Sequence, residues 1–221
     1  MSKVRTCAAW TIVAVCAVQA QTARSVSTSP EDRPHLSLVV ERLEDGKWRP
    51  LNPQTVLDHG NAIRFQLLTS FSGYLYAYYR GSDGEAEWIY PSPGKETDNR
   101  IEAGGSYLIP SASASYIVSG KPGFDTVYWM VSPKSLSGTN DRRPSPPPEG
   151  PVKRTIVPMC RADLPGGCFD DRAGAVTVPS APIAGTLKPR EIHLATTGDT
   201  TRIEALDGPG LFVYEFLVAH R

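Results

Sequence analysis

Apolar and polar side chains alternate in short runs along most of this 221-residue chain. The run GNAIRFQLLTS puts Ile63, Phe65 and Leu67 on one face and Arg64 and Gln66 on the other. A period of two residues is typical of a β-strand that buries one of its faces. No segment of helical length shows the 3.6-residue period of an amphipathic helix, so we predict a chain built from strands.

Runs with the same alternation recur from the first third of the chain to its end. One begins at His35 and is followed by an Asp45-Gly46 turn, and another closes the chain as LFVYEFLVAHR. Between them, GYLYAYYRGSDGEAEWIYP has the turn chemistry of a hairpin around Asp83-Gly84. Shorter strands are predicted at 106–109 and 115–119, and a stronger one over FDTVYWMVS. Many short strands separated by turns predict an all-β fold, an antiparallel β-sandwich of immunoglobulin-like character.

The first 20 residues have the pattern of a secretory signal peptide. Lys3 and Arg5 precede an apolar run, and Val18-Gln19-Ala20 offers compact groups where a signal peptidase cuts. The apolar run is roughly 13 residues, whereas a membrane span needs about 20. We therefore predict cleavage after Ala20 and export to the periplasm or beyond. A lipoprotein acylated at Cys16 is the less favoured alternative, because the residue before that cysteine is larger than usual.

The charge of the mature chain excludes some partners. Removing residues 1–20 leaves 21 basic and 23 acidic residues, a net charge of about −2. Without a strong positive field we predict no binding to nucleic acid. The mature chain contains no predicted transmembrane segment. It also lacks a phosphate-cradling glycine loop and a complete calcium loop, so we predict no cofactor and no metal.

Residues 134–190 differ in composition from the strands on either side. The stretches GTNDRRPSPPPEG and PSAPIAGTLKPRE carry too much proline for the interior of a sheet. We therefore divide the chain into a signal peptide (1–20), a flexible leader (21–33), a β-sandwich core (34–133), a proline-rich insertion (134–190) and C-terminal strands that return to the core sheet (191–221). A separate small C-terminal unit is the alternative.

Cys160 and Cys168 are the two cysteines that remain once the signal peptide is removed. They flank a Pro-Gly-Gly turn in an exported chain, which predicts a local disulfide. A redox pair or half of a metal site is the alternative. Redox pairs are usually two residues apart, and a metal site needs two further ligands nearby.

An ordered series of short motifs runs through the middle of the chain. It consists of Gly73-Tyr74-Leu75-Tyr76, the Asp83-Gly84 turn, Tyr90-Pro91, Asp98-Asn99-Arg100-Ile101 and, after Gly104-Gly105, Tyr107 and Pro110. In their order and spacing, over roughly residues 56–133, these motifs resemble the bacterial domain-of-unknown-function family 4384. The resemblance implies a compact β module, often exported, with no established reaction. It supplies no catalytic residue.

No catalytic signature is found in the sequence, and we predict that the protein is not an enzyme. None of the four histidines, His35, His59, His193 and His220, lies in a recognisable signature, and no serine occupies a G-x-S-x-G elbow. His35, His59 and His220 are predicted to be surface residues, because they lie near the leader, a turn and the terminus.

Paired carboxylates occur at Glu85 and Glu87 and at Asp170 and Asp171. The first pair follows a hairpin turn, where acidic residues normally solvate an exposed sheet edge. Glycosidase chemistry needs two carboxylates on either side of a cleft, and sequence neighbours alone do not show that arrangement.

The strongest binding signal is aromatic. Alternation in GYLYAYYR places three tyrosines on one face of a strand, opposite Leu75 and Ala77. If Leu75 and Ala77 face the core, the tyrosines form an outer surface suited to a glycan, a peptide or another protein. The predicted binding face comprises Tyr74, Tyr76, Tyr78, Trp88 and Tyr90, with Trp48 as a further candidate. The alternative is that these side chains are core, or are covered by the proline-rich insertion.

Our functional hypothesis is a non-catalytic binding or assembly module of a bacterial cell envelope, whose partner is another envelope protein or a glycan. An exported hydrolase is the alternative, and a histidine, a carboxylate and a hydroxyl gathered in a cleft would favour it. A purely structural component is the third possibility, and its sign would be an exposed, pairable edge at Leu211–His220. The sequence does not predict the oligomeric state.

Overall fold

The structure is a computed structural model that describes residues 33–92, 99–136, 147, 156–160, 167–177, 191–205 and 210–221. The predicted signal peptide lies outside the described residues, as does the predicted leader apart from Arg33. Most of the predicted proline-rich insertion also lies outside them.

The described residues form thirteen strands and no helix, which confirms the all-β prediction. In chain order the strands are β1 (His35–Glu44), β2 (Lys47–Leu51), β3 (Ala62–Thr69), β4 (Gly73–Arg80), β5 (Ala86–Tyr90), β6 (Arg100–Ile101), β7 (Ser106–Ile109), β8 (Tyr116–Ile117), β9 (Gly123–Ser132), β10 (Gly174–Thr177), β11 (Ile192–Thr197), β12 (Thr200–Ala205) and β13 (Phe212–His220). No helix among the described residues is long and apolar enough to cross a membrane.

The strands form two antiparallel sheets that pack face to face as a sandwich. Sheet 1 has the order β11-β12-β1-β3-β7, with β2 beside β1 and β8 beside β3. Sheet 2 has the order β10-β13-β9-β4-β5, with β6 beside β4. The antiparallel sandwich is therefore confirmed, while its immunoglobulin-like character stays a prediction.

Alternating side chains from both sheets fill one apolar core. Phe65 of sheet 1 lies edge-on to Trp129 of sheet 2, with ring centroids 5.1 Å apart. The core contains every apolar face that the alternation predicted: Leu36, Leu38, Val40, Ile63, Phe65, Leu67, Leu75, Ala77, Val127, Trp129, Val131, Phe212, Tyr214, Phe216 and Val218. Because a pleated strand sends successive side chains to opposite sides, the local pattern was sufficient to identify the buried face.

The last strand lies inside sheet 2. Its nine residues pair with β9, from Phe212 opposite Val131 to His220 opposite Gly123, and all nine are buried. Part of its other side pairs with β10, which arises from a segment that the sequence assigned to the proline-rich insertion. The exposed edge at Leu211–His220, expected of a purely structural component, is therefore absent.

Cys160 and Cys168 form the predicted disulfide, with Cα atoms 4.8 Å apart. Next to it, Asp170 is buried and accepts hydrogen bonds from the Met159 amide at 2.6 Å and from the Arg172 amide at 2.9 Å. The Arg172 guanidinium also donates to this carboxylate, with Nε 2.8 Å from Oδ1. Asp170 thus ties the described residues on both sides of the cysteine loop together, and the Arg172 guanidinium lies 5.0 Å from the ring centroid of Phe124 in β9 of sheet 2.

Candidate functional site

The strand β4 places its side chains as the alternation predicted, with Leu75 and Ala77 in the core. On its other side, Tyr76 and Tyr78 lie in a second cluster, which we call the outer aromatic cluster. Its buried members are Tyr76, Tyr78, Trp88, Tyr128, Met130, Leu211 and Val213, and Tyr74 and Leu136 pack against it.

The outer aromatic cluster is covered. Tyr76 is 0% exposed and Tyr78 is 7% exposed. The Leu136 amide donates a hydrogen bond to the Tyr76 hydroxyl at 2.8 Å, and the Arg80 guanidinium, which lies over the Tyr78 ring, donates to the Pro147 carbonyl. The tyrosines thus share a face, but they do not present a flat open surface. This agrees with the alternative that residues following β9 cover them.

Tyr90 and Trp48 do not join the tyrosines. The register between β4 and β5 shifts between Ala77 and Tyr78, so that Ala77 is opposite Tyr90 while Tyr78 is opposite Trp88. An irregularity of this kind reverses the alternation, and Tyr90 packs in the main core whereas Trp88 stays outside. Trp48 belongs to sheet 1, where the Arg64 guanidinium lies 4.2 Å above its ring.

The candidate site that the sequence did not indicate is a cavity of 180 Å³ between the two sheets. We call it the intersheet cavity. Sheet 1 and the turn after β8 supply Ile63, Phe65, Tyr116, Ile117, Val118 and Ser119, and sheet 2 with its β4–β5 hairpin supplies Tyr79, Glu85, Glu87, Ile89, Asp125, Val127 and Val218. Seven of these thirteen residues are apolar, and acidic, phenolic and hydroxyl side chains supply the other six. A cavity that combines apolar walls with converging polar groups is a candidate ligand site.

A buried polar network lies behind one wall of the intersheet cavity. Asp125 is its centre: Oδ2 accepts a hydrogen bond from the Tyr79 hydroxyl at 3.0 Å, and Oδ1 accepts one from the Ser82 amide at 2.8 Å. Oδ1 also lies 3.0 Å from His220 Nε2. The carboxylate is thus surrounded by donors, as a buried charge requires.

His220 is buried, so its predicted surface position was wrong. It is 1% exposed, because Leu57 forms a parallel bridge beside the end of β13. Backbone hydrogen bonds from Leu57 to Ala219 and from Arg221 to Leu57 hold that contact. Proximity to the chain terminus therefore gave no information about burial. His59 and His193 are exposed and His35 is half-buried.

Ser82, His220 and Asp125 bring a hydroxyl, an imidazole and a carboxylate within hydrogen-bonding distance. Ser82 Oγ is 3.3 Å from the same Nε2 that contacts Asp125, whereas a catalytic triad uses one imidazole nitrogen for the hydroxyl and the other for the carboxylate. Ser82 Oγ donates its proton to the Lys121 carbonyl at 2.7 Å. The imidazole nitrogen that faces Ser82 is therefore already engaged with Asp125, and the Ser82 proton is directed to a backbone carbonyl instead.

The electrostatics of the intersheet cavity are negative. Burial raises the pKa of the Tyr79 phenol well above its ordinary value, and the charges of Asp125, Asp83 and Glu85 raise it further. Burial likewise raises the pKa of Tyr116, and Glu87 adds to that shift. Both phenols therefore stay neutral at physiological pH and face a local excess of carboxylates.

The two predicted acidic pairs have different surroundings. Glu85 precedes β5 and Glu87 lies in it; β5 is an edge strand, and both carboxylates are exposed and line the intersheet cavity. Asp171 is exposed while Asp170 is buried against Arg172. Among the described residues, no group of three histidine, cysteine or acidic side chains is arranged to hold a metal ion.

Comparison with known protein families gives a match in the middle of the chain. Residues 56–135 match the family described as Domain of unknown function (DUF4384). The resemblance predicted over 56–133 is therefore confirmed. The DUF4384 region contains β3 to β9 and all the residues that line the intersheet cavity except Val218, while His220 of the polar network lies beyond it. Searches of curated proteins and of solved structures found no match.

Proposed function

We propose that this protein is an exported, non-catalytic binding module of a bacterial cell envelope, and that the intersheet cavity holds part of its partner. The single observation that supports the site is the cavity itself, which is lined by apolar side chains of both sheets together with carboxylate and phenol groups. The signal-peptide pattern of residues 1–20 supports export. The Cys160–Cys168 disulfide also supports it, because disulfides persist in oxidising compartments.

The size of the intersheet cavity supports a binding role for one side chain rather than for a large ligand. Its volume is 180 Å³, and an apolar cavity of about 150 Å³ in another protein admits benzene. One rim residue, Ile117, is 57% exposed although it lines the cavity. An exposed apolar residue at the entrance extends the contact surface for a partner.

Site-specific photocrosslinking from the cavity rim tests this proposal. A photoreactive residue replaces Ile117, and the matched control replaces Leu68, which is 43% exposed but does not line the cavity. We expect the Ile117 position to capture a defined envelope protein in the native envelope and the Leu68 position not to capture it. Equal capture from both positions would place the interaction elsewhere.

A hydrolase is the second candidate, because Ser82, His220 and Asp125 lie together. Three observations disfavour a hydrolase. Ser82 and Asp125 contact the same nitrogen of His220, Ser82 donates its proton to a backbone carbonyl, and neither Ser82 nor His220 lines the cavity. The purified protein is to be assayed with ester, amide and glycoside substrates beside a Ser82→Ala variant. Turnover that is lost in Ser82→Ala would overturn the binding proposal.

A further inference from the structure

The intersheet cavity has carboxylates at its mouth. Glu85 and Glu87 are both exposed and both line the cavity. They lie two residues apart along the chain, which places their side chains on the same side where the chain is extended. Neither carboxylate forms an ion pair with another residue in the described part of the chain, so no described basic side chain neutralises their charge.

The third carboxylate at the cavity, that of Asp125, is already occupied. Its two oxygens are engaged by Tyr79, Ser82 and His220. A ligand therefore meets the accessible charge at Glu85 and Glu87, at the mouth, and meets Phe65, Ile89, Val127 and other apolar side chains along the walls. Burial is the main cause of the raised pKa values of Tyr79 and Tyr116, and neighbouring carboxylates, among them Glu85 and Glu87, raise them further.

We propose that the intersheet cavity binds a basic side chain, lysine or arginine, of a partner protein, with its aliphatic stem against the apolar walls and its charged end at Glu85 and Glu87. This inference rests on the proposed function. Lysine and arginine combine an apolar stem with a cationic end and commonly bury the stem while the end stays in water. An apolar side chain alone leaves the mouth carboxylates unmatched, and an acidic one is repelled by them.

Small mimics of the side chain test the inference on the whole protein. The probes are n-pentylamine, which has a lysine-like stem and charge, and n-pentanol, which has the stem without the charge. Binding is followed by NMR through the methyl signals of Ile63, Val118 and Val218, which line the cavity. We expect n-pentylamine to bind about fivefold more tightly than n-pentanol, the ratio given by two partly exposed ion pairs.

Variants that remove the two carboxylates test whether Glu85 and Glu87 cause the preference for n-pentylamine. In Glu85→Gln/Glu87→Gln the preference for n-pentylamine should disappear, and in the control Glu191→Gln, an exposed carboxylate that does not line the cavity, it should persist. Added salt should weaken the preference in the unmodified protein.

The possible outcomes separate the two proposals. Equal binding of both probes overturns the cation inference and leaves the cavity as a binding site for an apolar side chain. Failure of both probes to shift the cavity methyls, together with equal photocrosslinking from positions 117 and 68, overturns the proposed function as well. A preference for n-pentylamine that survives Glu85→Gln/Glu87→Gln also contradicts the inference, because the charge would then be recognised elsewhere.

Discussion

His220 Nε2 lies 3.0 Å from Asp125 Oδ1, which joins the penultimate residue of the chain to β9 inside sheet 2. His220 is 1% and Asp125 is 8% exposed. The same carboxylate accepts hydrogen bonds from Tyr79 and from the Ser82 amide. One acidic side chain therefore connects the β4–β5 hairpin, β9 and the C-terminal strand.

Replacing Asp125 should be costly for stability. Asp125→Ala leaves the Tyr79 hydroxyl, the Ser82 amide and His220 without their acceptor, and we expect a loss of about 2–4 kcal/mol in the free energy of unfolding. Urea denaturation followed by circular dichroism measures it. Asp171→Ala, at an exposed position outside the network, is the control and should change stability by less than about 0.5 kcal/mol. Similar losses in both variants would show that the network does not stabilise the fold.

Two residues of β3 give a matched test of the core. Phe65 is 2% exposed and packs against Trp129, whereas Leu68 is 43% exposed. Phe65→Ala should lower the free energy of unfolding by about 3–5 kcal/mol, and Leu68→Ala by less than about 0.5 kcal/mol. Thermal and urea unfolding measure both values. A large effect at Leu68 with a small one at Phe65 would mean that β3 faces the opposite way.

Asp170 should make the free energy of unfolding depend on pH in the acidic range. Hydrogen bonds from Arg172 lower the pKa of its carboxyl from 3.8 to about 2. A lowered folded-state pKa stabilises the fold above about pH 4, and that contribution is lost as the pH falls through about 2. Because Arg172 is partly exposed, solvent screening reduces the contribution to about 1 kcal/mol. The difference in stability between the unmodified protein and Asp170→Asn should therefore be present at pH 7 and vanish near pH 2; a constant difference contradicts this account.

The disulfide should contribute to stability through the unfolded chain. Cys160 and Cys168 are eight residues apart, and the chain-entropy description gives a contribution of about 2–3 kcal/mol for such a loop. Cys160→Ser/Cys168→Ser should lose that amount in urea unfolding, with only a small increase in the slope of the transition, because a short loop changes the dimensions of the unfolded chain little. An unchanged midpoint would show that the cysteine loop unfolds independently of the sheets.

Burial of the outer aromatic cluster changes what a tyrosine substitution should do. For an open binding face, Tyr76→Ser would leave the thermal midpoint nearly unchanged. Tyr76 is instead 0% exposed and accepts a hydrogen bond from the Leu136 amide, so we expect a loss of about 3–5 kcal/mol, the range for deleting a buried aromatic ring. Tyr74→Ser, at a half-buried position on the same strand, should lose clearly less. Equal thermal midpoints for the Tyr76→Ser variant and the unmodified protein would restore the binding-face hypothesis.

The sequence predicted the inner face of each long strand but not the surroundings of single side chains near irregularities. Alternation placed Leu75 and Ala77 together on the face opposite the tyrosines, and that face lies in the core. Tyr90 was placed wrongly, because the register shift between Ala77 and Tyr78 is set by how β5 pairs with β4. The strand β10 was missed because its four residues carry little periodicity, and its pairing with β13 is what makes it a strand.

The sequence by itself determined the fold class, the faces that form the core, the disulfide and the DUF4384 region. Each depends on a local pattern: the pleat of a strand has a period of two residues, and the two cysteines are near neighbours. Only the tertiary structure decided that His220 meets Asp125 across 95 residues, and that side chains from both sheets enclose a cavity with an acidic mouth. Such contacts depend on which distant strands lie side by side, and that follows from the packing of the whole chain rather than from any one segment.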